Sequence, residues 1–231
     1  MKVPQQSGPK GSLKWIQSLI NDYPDIIDQH LLNYFELDAN RIEWVSPIKQ
    51  SNYEEYRDDD FLKVLGLDNY KKMLDKFWPK RGPQWDALGK INSEKGVFLV
   101  EAKANIPEII SEVKAKSSIS IYKIQNSLSL VRDYLNCKSS LSWESLFYQY
   151  ANRIAHLYFL RNVCKLNAYL VFIYFVNDYS HISTSEEEWK GALRLQKLLM
   201  GLTAHKLQKY ISELFIDVKL LDGSISELVH Q

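Results

Sequence analysis

The chain has 231 residues, 45% hydrophobic and 25% charged, with a formal net charge of +1. That length suits one well-buried domain and is short for two. The near-neutral charge excludes a strongly basic nucleic-acid coat and a disordered acidic chain. Cys137 and Cys164 are the only cysteines and have no metal-ligand spacing, which argues against a zinc site or a disulfide framework.

Residues 1–11 are polar with Pro4, Gly8, Pro9 and Gly11 and read as a flexible tail, leaving 12–231 as a single domain. Over 12–35 the apolar residues recur at helical intervals broken at Pro24, which predicts two short helices. RIEWVSPI, 41–48, alternates like a strand, and 49–66 is charged and irregular. Tyr70, Met73, Leu74 and Phe77 mark a helix stopped by Pro79. Two β segments, 84–91 and 96–103, follow, joined by NSEK. Asn105 and Glu108 around Pro107 read as a capping box opening a helix, so Glu108 is expected to be a cap and not a ligand.

Further helices are expected at about 119–136 and 142–164. AYLVFIYFV, 168–176, reads as a strand buried on both faces. At nine residues it is the longest apolar run, against roughly 20 for a membrane helix, so no membrane is expected and the chain reads as cytoplasmic. Ser185 before Glu186, Glu187 and Glu188 is a helix start with acids where the dipole favours them. That helix and another lead to a last strand near 215–221. Strands alternating with helices around long apolar strands indicate an α/β core with a central mixed sheet flanked by helices.

The chemistry concentrates in GVFLVEAK. Side chains alternate along a strand, so Val97, Leu99, Glu101 and Lys103 share one face and Phe98, Val100 and Ala102 the other. Both faces are apolar up to Val100, the pattern of a covered strand in which an unpaired charge is costly. If Asn92 to Lys95 form a four-residue loop, Ile91 pairs with Gly96, and counting back along both strands sets Asp86 opposite Glu101. Like charges so placed repel. A cation removes the repulsion, and two carboxylates with waters and phosphate oxygens are a usual Mg²⁺ environment. The plainer alternative is an ordinary strand-end pair of Glu101 and Lys103 without metal. Residues 71–103 also carry eight basic against four acidic side chains, a local patch on a chain whose overall charge argues against tight unassisted DNA binding.

Asp86, then Glu101-Ala102-Lys103 after a strand of Val, Phe, Leu and Val, resembles the catalytic signature of the PD-(D/E)XK nuclease superfamily, with Pro83 three residues before the aspartate instead of beside it. The resemblance covers about 20 residues. It implies a restriction endonuclease-like core and a nuclease acting on DNA, with RNA also open, in restriction, defence or repair. It also implies Mg²⁺, with Mn²⁺ as substitute, held by Asp86, Glu101 and the Ala102 carbonyl, and Lys103 orienting or deprotonating the attacking water. Many members add an acid on the first helix, for which Glu36 is the choice and Glu43 the rival. Double-strand cutters often need two sites, so a homodimer is a further expectation. A nuclease-like module that binds nucleic acid or protein without catalysis is the alternative.

Gln149, Asn152, Arg153 and His156 form one polar stripe on an otherwise apolar helix, facing either solvent or a cleft. In the cleft reading Gln149 joins the catalytic group and Arg153, with Lys90, contacts substrate phosphate. His156, without a nucleophile nearby, reads as structural. Trp78 and Trp85, if exposed, would stack on unpaired bases.

Overall fold

The computed structural model describes residues 1–91 and 96–223. The NSEK loop, 92–95, lies outside the described residues. In chain order the main elements begin with β1 (Lys2–Val3), α1 (Gly11–Asp22), α2 (Pro24–Tyr34), β2 (Glu43–Ser46), β3 (Glu55–Tyr56), α3 (Asp59–Val64) and α4 (Lys71–Phe77). They continue with β4 (Ala87–Ile91), β5 (Gly96–Lys103), α5 (Ser118–Leu135), α6 (Tyr148–Tyr158), β6 (Asn167–Val176), α7 (Glu186–Met200) and β7 (Ile211–Asp217). The fold is α/β. Five strands form a mixed sheet in the order β2-β4-β5-β6-β7, and β1 and β3 form a separate two-stranded ribbon.

The hairpin has the expected register. Ile91 faces Gly96 and Ala87 faces Val100 in an antiparallel ladder, while β6 lies parallel to β5 on its other side, with Glu101 beside Phe172 and Lys103 beside Tyr174. Each face of the sheet has its own core. Phe98, Val100 and Ala102 pack under α1 and α2; Val97 and Leu99 pack under α3 to α7. The interior of β5 is therefore shut off from water on both sides, which is why its apolar run is continuous. Gly89 of β4 is required by close approach, since a Cβ there would sit 2.7 Å from the Ile42 side chain.

Other elements follow local chemistry. Ser185 and Glu188 form a reciprocal capping box at the start of α7, and Gly201 takes the left-handed position that ends it,. Several expectations need correction. The helix expected from 142 begins only at Tyr148, because Leu146 adopts φ 54° and breaks any helix through it,. The capping box expected at 105–108 opens only a 3-10 turn, Ile106–Ile109. There Glu108 reaches backwards, accepting from Ala104 N (3.2 Å) and Asn105 Nδ2 (2.7 Å). The helix expected between α7 and the last strand is a 3-10 turn, Gln208–Tyr210, and the strand itself runs Ile211–Asp217. The irregular stretch contains α3, whose Phe61 and Leu62 are buried.

The first eleven residues are tied to the body. Lys2 and Val3 pair with Tyr56 and Glu55, and Gln17 Nε2 donates to the Gln6 carbonyl at 3.0 Å. Among the described residues no helix is long and apolar enough to cross a membrane.

Candidate functional site

Where β4 begins and β5 ends, the sheet opens into a cleft of about 1160 Å³ whose lining includes Asp86, Glu101 and Lys103. Asp86 sits one residue before β4, past the last rung of Ala87 against Val100, and its N–H donates to that same Val100 carbonyl at 3.2 Å, so it lies beside Val100 and does not form the Asp86–Glu101 rung that the count expects. Its carboxylate accepts from the Ala102 N–H at 2.7 Å. A strand residue sends its N–H and C=O to the same edge, so the Ala102 carbonyl leaves on the Asp86 side, beyond the last β4 rung.

Glu101 is only 3% exposed and saturated with cations. Lys103 Nζ lies 2.6 Å from Oε1 and Arg153 Nη2 2.5 Å from Oε2, with Arg153 Nε donating to the same Oε2 at 2.6 Å. Arg153 also donates from Nη1 to Asn152 Oδ1 (2.7 Å) and from Nη2 to the Gln84 carbonyl (2.8 Å). The guanidinium lies over the Trp85 ring at 4.9 Å.

The electrostatics divide the two acids. Burial raises the Glu101 pKa, but Arg153 and Lys103 outweigh it and hold the carboxyl below its ordinary value. Asp86 is pushed well above the usual aspartate range, first by burial and then by the charges of Glu101 and Glu55. Burial pulls the Lys103 ammonium down, yet Glu101 and Asp86 leave its pKa above that of an ordinary lysine. Lys103 is thus protonated beside its two acids, and its use as a base has no support from this balance.

Glu55 is the acid that sequence reasoning missed. It is 3% exposed and reaches this neighbourhood because Tyr56 of β3 bridges Trp85. One of its oxygens accepts from both Gln84 Nε2 (2.5 Å) and Gln5 Nε2 (3.1 Å). Burial raises its pKa, and the charge of Glu101 adds to the rise. The sequence offers no signal beyond a glutamate in a charged stretch, since the bridge is tertiary.

The polar stripe of α6 faces inward. Gln149, Asn152 and Arg153 line the cleft. His156 is 1% exposed, its Nδ1 2.8 Å from the Asn152 carbonyl, with Phe61, Phe77, Trp78 and Trp85 edge-on around it. Burial lowers its pKa to about 3. It is a structural histidine, as expected.

Other expected residues lie elsewhere. Lys90 is at the far end of β4, paired with Glu43 at 3.0 Å, about 13 Å along the strand from Asp86. Neither it nor Glu43 lines the cleft. Glu36 is exposed after α2, a helix that packs on the opposite sheet face through Ile27 and Leu31. A side chain there is separated from Glu101 by the sheet itself. Trp78 and Trp85 are 3% and 0% exposed, so they form the wall behind His156 and present no stacking surface.

The rim supplies cations. Arg81, Lys114 and Lys116 are exposed on the cleft walls, the two lysines alternating with Val113 and Ala115, which pack on the core. Lys80 also lines the wall but is held by Asp59 (2.7 Å) and Asp75 (2.6 Å). Seven basic and four acidic residues line the cleft, a local positive excess on a chain of net charge +1.

Among the described residues no three His, Cys, Asp or Glu side chains are grouped so as to hold a metal ion. Mg²⁺ asks for less: one or two carboxylates, with waters and substrate oxygens completing its shell. Asp86, Glu101 and the Ala102 carbonyl are the donors from which such a set would be drawn, with both Glu101 oxygens held by Lys103 and Arg153 and one Asp86 oxygen by the Ala102 N–H. No family model, curated protein or solved structure matches the chain.

Proposed function

We propose that this chain is a metal-dependent nuclease of the PD-(D/E)XK type, hydrolysing DNA phosphodiesters on a restriction endonuclease-like core. One observation carries the reading: a two-carboxylate and lysine group at the mouth of a strand buried on both faces, in the floor of a cleft walled by cations. Burying such charges is costly unless they are paired or bind an ion.

Asp86, Glu101 and the Ala102 carbonyl would hold Mg²⁺ or Mn²⁺, which when bound polarises phosphate oxygen and makes water a stronger acid. The chain's own groups have separate tasks. Arg153 orients Glu101, to which it donates from both Nε and Nη2. Arg81, Lys114 and Lys116 contact backbone phosphates, which positions the chain without reading sequence. Lys103, kept protonated, stabilises negative charge building on the phosphate under attack. Gln149 presents its amide from the cleft wall.

The saturation of Glu101 by two cations favours a second reading, a nuclease-like module that binds without cutting. One experiment separates the two. Purified protein is incubated with linear, circular and single-stranded DNA, and with RNA, in Mg²⁺ or Mn²⁺, beside Asp86→Ala and Lys103→Ala. We expect cleavage that falls by about 10²-fold or more in each variant. Cleavage surviving both substitutions removes the proposed site, and salt-dependent binding without cleavage by the unaltered chain favours the second reading.

A further inference from the structure

Next to Lys103 lies a small cavity of about 20 Å³ lined by Glu101, Lys103, Gln149, Tyr150, Tyr174 and Gln196, among others. Gln196 is out of place by pattern. It falls on the inner face of α7 with Trp189, Leu193 and Met200, all buried, where an amphipathic helix carries apolar side chains. It is 1% exposed, and its Oε1 is buried without a hydrogen-bond partner among the described residues. A buried amide oxygen left unpaired is costly, and apolar residues of similar volume would fill the position more cheaply. The cavity has room for one water, which needs about 10 to 15 Å³ of such space and two to four polar partners. Among the described residues the Lys103 ammonium has one close ion pair, with Glu101 Oε1 at 2.6 Å, and an ammonium has three protons to donate.

We propose that Gln196 is a positioning residue for Lys103, binding one water molecule that accepts from the Lys103 ammonium and donates to Gln196 Oε1. The water fixes the ammonium, so that Lys103 keeps its angle to Glu101 while its remaining proton points into the cleft. Tyr174, beside Lys103 in the parallel ladder, also lines the cavity. The amide is retained at a core position because it orients a charge. Its catalytic consequence rests on the nuclease reading; the water site does not.

The test uses crystal structures of the unaltered full chain at a resolution that shows waters, of Gln196→Met, which removes the acceptor at similar volume, and of Gln196→Glu, which restores one. Density for one water within hydrogen-bond distance of both Lys103 Nζ and Gln196 Oε1 is expected in the unaltered chain. It should be absent in Gln196→Met, with Lys103 displaced or in two conformers, and present again in Gln196→Glu. Melting of Gln196→Met at or above that of the unaltered chain shows that the amide does not serve stability. In the cleavage assay Gln196→Met should lose about tenfold in kcat with KM unchanged, and Gln196→Glu should recover most of it. No water in the unaltered chain, or an unmoved Lys103 in Gln196→Met, overturns the proposal. If the crystals show the water while no variant cleaves nucleic acid, the nuclease reading fails and the water site stands.

Discussion

Arg153→Met isolates the interaction that holds the centre of the site together. Arg153 and Glu101 are 5% and 3% exposed and meet at 2.5 Å, so solvent screens them little. Removing one partner of a buried pair costs about 3 to 5 kcal/mol. Lys103 remains on the other oxygen of Glu101, which places the expected loss at the low end, about 3 kcal/mol. For a chain of this size that is a fall in Tm of about 6 to 12 °C. The pH dependence has a definite sign. Arg153 and Lys103 hold the Glu101 pKa below its ordinary value, so their stabilisation is present above the unfolded pKa and is lost as pH falls through the folded one. The gap between Arg153→Met and the unaltered chain should therefore be full at pH 7 and narrow in acid. Adding Glu101→Gln should restore much of the loss, because the uncompensated charge is gone. Urea unfolding followed by tryptophan fluorescence at pH 7 and pH 4 measures each value. A cost below about 1 kcal/mol at pH 7, or no recovery in the double variant, would refute the argument that Glu101 is a buried anion dependent on Arg153.

Two further predictions test the remaining titrating groups. Asp86→Asn keeps an oxygen for the Ala102 N–H but removes a carboxylate whose pKa is raised by burial, Glu101 and Glu55. Such a group destabilises the fold at pH values above its folded pKa and not below the unfolded one. The variant should melt no lower than the unaltered chain at pH 8, with no such difference in acid, while stabilisation by added Mn²⁺ disappears; a lower melting temperature at pH 8 contradicts the assignment. His156 is held neutral with a pKa of about 3, so the unfolded chain takes up a proton below about pH 6.5 that the folded chain refuses. Stability should fall by about 2 kcal/mol between pH 6.5 and 5 from this residue, and His156→Phe, which suits the aromatic surroundings, should remove that slope from the urea midpoints.

The parts of this arrangement legible in the sequence are those fixed by local periodicity. An apolar run with charges only at its end is buried with that end at an opening, and the hairpin length then sets the register from Ile91–Gly96 to Ala87–Val100, one residue short of Asp86. The inward stripe of α6 was legible as a pattern but not in direction, because a polar face is the same sequence whether it meets water or a cleft. Lys90 and Glu36 went to the wrong place for a related reason. Position along the chain does not say which end of a strand faces the opening, or which sheet face receives a helix. Glu55 was invisible because its place depends on a single bridge between β3 and the residue before Asp86. The false start at 142 depended on one left-handed residue, Leu146, in a stretch whose composition is helical.

On the proposed reading, the charge balance of the floor links metal to substrate. Asp86 and Glu101 in the floor, with the buried Glu55 outside the lining but felt electrostatically, set three carboxylates against two cations, Lys103 and Arg153, where burial is the largest influence on each acid. With all three ionised the floor is negative, and the raised pKa values of Glu55 and Asp86 express the cost. A phosphodiester entering from the cleft adds another negative charge and raises that cost further. Either a proton or a divalent cation must balance it. On the proposed reading the cation and the nucleic acid each reduce the penalty of binding the other, and that coupling is reciprocal by thermodynamic necessity. A proton on Asp86 meets the same demand but takes up an oxygen the metal needs, so protons and metal compete for the site. On the same reading the cationic rim would attract the phosphate backbone, while the acidic floor would keep it from settling there until a divalent ion is in place.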